Sequence, residues 1–430
     1  MPWDAEGRRR LPLRWQRPST LLSVFLTLLN DRLGESMVFP LLPYLLAGLS
    51  SDGRTLGALA GTYALAQFTG TPLIGALSDR FGRKPVITVC VAGSVLGLSL
   101  FAATLILPWA QIWPEALAAG VPLALLFLAR FIDGLSGGTA ATATAVLADI
   151  TPPEQRAKAF GLLGVAFGLA FILGPALAGL LARFSLTLPL LLAAAFALLN
   201  LVVVLKLLPE TLPPSQRLPL PRRRALQPFN QIGRILGQSQ VRLLALAFFL
   251  FFLSFNGFTA MLVLFLRQAF AWGPELSALA FLVVGVVATV VQGGLIGPLV
   301  ARFGERRLSL TGVGFVSVGF LLIALAQRTT AVPLVFGGVA LLALGTGLVT
   351  PCLRSLVSRR LEDGGQGAAL GSMQALQSLA GVLGPPLAGL AFETIGQRSP
   401  FWGGLALMLA VGILVGGLPG QASPSRQSTA

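Results

Sequence analysis

Twelve apolar stretches, each about twenty residues or longer, divide this 430-residue chain and leave little else between them. They lie at approximately 20–46, 55–78, 85–108, 120–149, 157–182, 186–208, 241–270, 275–300, 307–327, 331–357, 367–392 and 400–418. A bilayer core of roughly 30 Å needs about 20 helical residues to cross it. The pattern predicts an all-α integral membrane protein with twelve transmembrane helices. Composition agrees, since only 11% of the residues are charged against 55% hydrophobic. A soluble domain carries about 25% charged residues. The 50 glycines and 29 prolines fit membrane helices, where neighbours re-satisfy a broken backbone ladder.

The helices come in two matching sets. Gly75-Ala76-Leu77-Ser78-Asp79-Arg80-Phe81-Gly82-Arg83-Lys84 joins the second and third stretches. Its echo, Gly297-Pro298-Leu299-Val300-Ala301-Arg302-Phe303-Gly304-Glu305-Arg306, lies 222 positions later between the eighth and ninth. Gly161, Leu173, Gly174, Pro175, Ala178 and Gly179 recur 210 positions on as Gly371, Leu383, Gly384, Pro385, Ala388 and Gly389, and Gly134 aligns with Gly345 near that spacing. The expected organisation is a tail at 1–18, a six-helix bundle at 19–208, a linker at 209–240, a second bundle at 241–418 and a tail at 419–430. Within the linker, Arg222-Arg223-Arg224 is a basic run, and Pro228 to Gln240 has Ile232, Ile235 and Leu236 on one side of a short interfacial helix. Duplicated bundles of this kind carry solutes through the crevice between their halves.

A net charge of +15 would suggest nucleic acid in a soluble protein, but here the basic residues mark orientation. Of the 31 Lys and Arg, Arg32 and Arg130 fall within spans. With both termini in the cytoplasm, Arg54, Arg183, Arg267, Arg328 and Arg398 face outward and the remaining twenty-four face inward. That asymmetry is what the positive-inside rule requires. The apolar run after Arg8-Arg9-Arg10 continues through Asn30-Asp31-Arg32 to Pro43, too long for a signal peptide core, and reads as the first membrane helix.

Several chemistries are excluded. The chain has no histidine, so any proton carrier is a carboxylate, and histidine-based zinc sites and catalytic triads are ruled out. Cys90 and Cys352 both sit within apolar stretches and imply neither a disulfide framework nor a metal cluster. No phosphate-binding glycine loop is present, so nucleotide hydrolysis is not the driving force. No cofactor is expected, and nothing supports an enzyme.

Charges inside membrane spans are costly, about 2.5 to 3.5 kcal/mol each on an insertion scale, and mark function by default. Asp31 lies eleven residues past Thr20, about 16 Å along the helix and so near mid-membrane, with Glu35 one turn further on the same face. Arg130 and Asp133 lie one turn apart in the fourth stretch. An apolar surround disfavours a carboxylate's charge and a guanidinium favours it. Asp31 or Glu35 is therefore a candidate proton carrier with Arg130 tuning it, and Asp133 reads as a structural partner of Arg130. A permanent structural ion pair, for instance of Asp133 or Asp31 with Arg32 or Arg130, is the alternative. Asn30, Gln67, Asn256, Gln292, Gln374 and Gln377 are the sparse polar residues in the spans. With many phenylalanines around them they suggest an apolar cavity for an amphipathic molecule, although each also suits an interhelical hydrogen bond.

These motifs closely resemble the major facilitator superfamily, and within it the twelve-helix drug:proton antiporters of the tetracycline-efflux type. The resemblance covers about residues 19 to 418. Gly75 to Lys84 resembles the superfamily's loop motif, and Arg130-Phe131-Ile132-Asp133-Gly134 with Gly137 and Gly138 resembles the fourth-helix motif. Gly168 through Gly174-Pro175-Ala176-Leu177-Ala178-Gly179 resembles the antiporter motif, and Ala148-Asp149-Ile150-Thr151-Pro152-Pro153 reads like tetracycline-type exporters.

The resemblance implies the facilitator fold and a monomeric transporter of the bacterial inner membrane, exporting a small molecule in exchange for protons. An uptake carrier or facilitator, or a transport-inactive receptor, is the alternative. It implies that Asp79 faces the N-terminus of the eleventh helix, and that the fifth-helix seam packs against the eighth. It also matches Asp31 to a position where the family often carries a first-helix acid, and Arg130 to the fourth-helix arginine that the family links to proton transfer. Elementary geometry adds that Gly82 permits a left-handed backbone at the hairpin. Arg80 or Arg83 is within reach of Asp149, and Arg80, Arg83 and Lys84 would otherwise serve only as topology anchors. Ala301 stands where the first hairpin has Asp79, so only one acidic latch of this type is expected.

Overall fold

The computed structural model describes residues 18–50, 52–112, 120–151, 156–219, 227–360 and 366–417, and these are almost entirely helical. Both expected tails and the Arg222-Arg223-Arg224 run lie outside the described residues. Gly161 and Gly164 fall where only the backbone path is described. The first half consists of α1 (Pro18–Val38), α2 (Gly53–Phe81), α3 (Arg83–Ile106), α4 (Gly120–Ser136), α5 (Thr139–Ile150), α6 (Arg156–Ala182) and α7 (Leu188–Leu207). After the linker helix α8 (Pro228–Leu236) come α9 (Arg242–Phe270), α10 (Pro274–Val290), α11 (Ile296–Phe303) and α12 (Glu305–Leu325). The chain continues with α13 (Ala331–Arg359), α14 (Gln366–Thr394) and α15 (Ser399–Gly416).

Among the described residues, ten spans are long and apolar enough to cross a membrane, with α4 and α5 counted together and α10 joined to α11. The charged α1 and the glycine- and threonine-rich α2 pack beside them as two further long helices. Three of the expected spans are interrupted, the first by a 3-10 segment at Phe39–Leu41. The fourth breaks at Gly137-Gly138, and the eighth carries a π-helical segment, Val291–Leu295, that contains Gln292-Gly293-Gly294.

The internal repeat reappears as packing. In the first half α1 lies against α6 and α7, α3 against α4 and α7, and α2 against α4. In the second, α9 lies against α14 and α15, α12 against α13 and α15, and α10 against α13. Gly82 and Gly304, the matched hairpin glycines, both take positive φ, +108° and +76°, with ψ near 157°. This is the mirror-extended region rather than the left-handed helical one, and it is open to glycine because there is no Cβ.

In lipid, helix association depends on close packing rather than on hydrophobic burial. The second half achieves it with large rings, since Phe258, Phe265, Phe320 and Phe401 form a buried aromatic cluster joining α9, α12 and α15. The halves meet chiefly through two helix pairs, α2 with α14 and α6 with α10.

Candidate coupling site and gates

A polar cavity opens within the first half, lined by Asn30, Asp31 and Glu35 from α1, Tyr63 from α2, Ser94 from α3, Asp133 from α4 and Asn200 from α7. Arg32 lies between the two α1 acids. Its Nη2 donates to Asp31 Oδ2 at 2.7 Å, its Nη1 pairs with Glu35 Oε2, and its guanidinium lies 5.2 Å from the centre of the Phe167 ring. Arg32 and Asp31 side chains are 9% and 8% exposed, whereas Glu35 is 32% exposed. Of the two acids, Glu35 is the more exposed.

Arg130 is nearly enclosed. Its Nη1 lies 3.5 Å from Asp133 Oδ2 and its guanidinium stacks 4.5 Å from the Tyr63 ring centre, while its buried Nε has no partner. Asn200 donates to the Thr27 carbonyl at 3.3 Å and leaves its own Oδ1 buried and unpaired. Orphan donors and acceptors of this kind are costly unless they serve a function or hold water. The sequence pattern pointed to Arg130 as the cation beside the α1 acids. In the structure the direct partner of both is Arg32, and Arg130 pairs with Asp133. Asn200 and Tyr63 were not singled out from sequence, because one polar residue in an apolar helix carries no periodic signal.

At the Gly82 hairpin one guanidinium gathers three groups. Arg83 Nη1 donates to Asp79 Oδ1 at 2.6 Å and to Ser78 Oγ at 2.7 Å, and its Nε donates to Asp149 Oδ2 at 3.0 Å. Of the two arginines within reach of Asp149, Arg83 makes the bond, and Arg80 lies over the Phe81 ring. The linker then straps the hairpin. Glu210 accepts from the backbone amides of Arg83 (2.9 Å), Lys84 (3.2 Å) and Leu212 (2.9 Å). This carboxylate satisfies the open N-terminus of α3 and complements its dipole. Thr211 Oγ1 also donates to Asp149. Asp79 is engaged here by Arg83; the side chains at the start of α14, its expected partner, lie outside the described residues. Gly75, at the other end of the motif, has open space where a Cβ would be.

At the opposite, Asp52 end the halves touch backbone to backbone. A Cβ on Gly57 would come within 2.4 Å of the Pro385 carbonyl, and one on Gly285 within 2.5 Å of that of Phe171. The α6 seam reaches α10 through Gly168 on Thr289 and Gly179 on Ala278. Gly174, just before Pro175, instead faces Ser36 of α1, whose hydroxyl donates to the Ala170 carbonyl at 2.8 Å. Polar contacts lock the same end. Tyr44 OH bonds the Trp272 carbonyl (2.6 Å) and Ser277 Oγ (2.8 Å), Arg267 donates to the Pro43 carbonyl (2.7 Å), and Arg183 pairs with Glu275 (2.9 Å). At the Gly82 end, α8 lies against α2 and α14, with Phe229 edge-on to Phe68 at 5.3 Å.

The other polar residues do not converge. Gln374 and Gln377 both accept from Arg354 Nη2, at 3.2 and 2.7 Å, Gln67 packs at Gly137, Asn256 lies at Gly381 and Gly384, and Gln292 is exposed on the π-helical segment. A separate apolar pocket lies between the halves, lined by Phe39, Leu42, Leu56 and Ala60 on one side and Thr259 and Val263 on the other.

A fold of two six-helix halves with charged side chains buried in both defines a membrane transporter. The family model for the Major Facilitator Superfamily matches residues 24–296 and 290–429, and the chain belongs to that family. It is 32% identical over 404 residues to the class C tetracycline resistance protein of Escherichia coli, covering 93% of this chain and 96% of that protein. It is 29% identical to human major facilitator superfamily domain-containing protein 10, covering 95% of this chain and 96% of that protein. The crystal structure of the human organic anion transporter MFSD10 (TETRAN) superposes with a TM-score of 0.69 at 26% identity, over 94% of this chain and all of that one.

Proposed function

We propose that the protein exports an apolar or amphipathic small molecule, of the drug or tetracycline class, in exchange for protons by alternating access. The carrying observation is the Asp31–Arg32–Glu35 cluster on the wall of an enclosed polar cavity, where a carboxylate's charge is paired with a single guanidinium. Protonating one acid releases that guanidinium to the other and changes the packing of α1. The relatives named for tetracycline resistance support the substrate class. One charge crossing 100 mV supplies about 2.3 kcal/mol, which corresponds to a concentration ratio of about fifty.

In this reading residues 19–208 and 241–418 rock as two bodies about the central crevice, and the monomer is the working unit. Both termini lie in the cytoplasm of a bacterial inner membrane, so the Gly82 hairpin faces inward and the Asp52 end faces outward. The test uses inside-out vesicles energised to acidify their lumen. Accumulation of a tetracycline or another lipophilic drug that a protonophore collapses is expected. Gradient-independent equilibration, or accumulation only in right-side-out vesicles, would instead establish a facilitator or an uptake carrier.

A further inference from the structure

We infer that Glu393 is a positioning residue of the transport cycle, a carboxylate latch holding the Asp52 end shut as the counterpart of Asp79 at the far end of the same helix pair. The inference rests on the reading that the two halves alternate. Helices α2 and α14 run antiparallel: Ala64 faces Gly381, Gly57 faces Pro385, and Gly53 faces Gly389. A Cβ on Gly389 would lie 2.1 Å from the Gly53 carbonyl, so the two backbones touch where α2 begins. There the Gly53 amide donates to Glu393 Oε1 at 2.5 Å, a bond between halves separated by 340 residues of chain.

The first amides of a helix have no partner within it and carry its positive dipole end. Asp52 takes the Thr55 amide at 2.7 Å, which leaves the Gly53 amide for a carboxylate from the other half. Asp79 sits at the last turn of α2, about 39 Å away at 1.5 Å per residue, beside the region where α14 begins. Glu393 lies near the C-terminal end of α14 and Asp79 near that of α2, and the antiparallel pairing sets Glu393 beside the start of α2. Glu393 is engaged across the halves, whereas Asp79 is held within its own half by Arg83. Separating α2 from α14 at the Asp52 end breaks the Glu393 bond. Closing the Gly82 end gives Asp79 the equivalent partner.

The test measures distance across the Asp52 end without substrate or gradient, so its outcome is independent of proton-coupled drug export. Spin labels are attached through Phe184→Cys in the first half and Thr329→Cys in the second, both exposed, with Cys90 and Cys352 replaced by serine. Glu393→Ala is expected to raise the long-distance population about fivefold relative to the parent. Glu393→Gln, which keeps an acceptor but no charge, should fall between them, and Asp79→Ala should shift the population toward short distances. Turnover in proteoliposomes should fall in both alanine variants. A parent-like distance distribution in Glu393→Ala overturns the latch. If that variant does not purify as a monodisperse protein, a parent-like distribution in Glu393→Gln does the same.

Discussion

Glu305 occupies in the second half the position that Arg83 holds in the first, 222 residues earlier, and it makes the same contact with the charges reversed. Arg83 Nε reaches Asp149 at the end of α5. Glu305 Oε1 accepts from Arg359 at the end of α13 (2.8 Å) and from Ser355 Oγ (3.1 Å). The hairpin echo showed Ala301 in place of Asp79 and implied that the second half has no equivalent latch. The second-half pair lies instead in the adjoining helix starts and ends, where the packing is equivalent and only the sign differs.

The first half should therefore tolerate the second half's polarity. Arg83→Glu alone faces Asp79, Asp149 and Glu210 with no cation, and breaking a mostly buried pair in this way costs about 3 kcal/mol. Arg83→Glu combined with Asp149→Arg should recover more than half of that loss in detergent thermal unfolding. Strict additivity of the two single losses would show that the contact carries no coupling.

Asp31→Asn and Glu35→Gln should each abolish or strongly reduce protonophore-sensitive drug accumulation while leaving the protein folded. Arg32→Ala strands two acids in the same cavity and should be the less stable variant, by about 3 kcal/mol or more. Arg130→Ala leaves Asp133 without its cation and should change the pH dependence of transport. Coupled efflux at the parent rate in both acid variants would remove the carrier assignment.

Asp79→Ala should slow cycling more than it weakens substrate binding. Drug binding measured by fluorescence should change less than twofold, while turnover should fall about tenfold. Equal turnover would show that the Asp79–Arg83 pair is only an anchor of topology.

Asp52 gives a pH prediction outside the membrane. Burial alone would push its carboxyl up, but hydrogen bonds from Ser50 Oγ, the Thr55 amide and Thr55 Oγ1 outweigh burial and hold it below the usual range. The folded protein thus binds this proton less readily than the unfolded chain. The contribution is fully present above the unfolded value of about 3.9 and is lost as pH falls through the lower folded value. Thermal unfolding of Asp52→Asn should lack that part of the acid-side loss. Asp52→Ala should cost about 1 kcal/mol at neutral pH as a lost N-cap.

The sequence by itself determined the helices and their doubling, because in lipid the length of an apolar run and the charges at its ends decide where a helix lies, but not the breaks at Phe39–Leu41, Gly137-Gly138 and Val291–Leu295. It also marked Asp31, Glu35, Arg130 and Asp133, since charge in a span is costly enough to stand out from any background. What each charge touches was decided by tertiary structure. Arg32 rather than Arg130 joins the α1 acids, Glu210 from the linker covers the start of α3, and Glu393 reaches Gly53 across the halves. Such partners range from adjacent residues of one helix to residues hundreds of positions apart. Periodicity assigns a residue to a face but not to a partner, and the close approach of α2 and α14 at Gly57 and Gly389 brings Glu393 within bonding distance of Gly53.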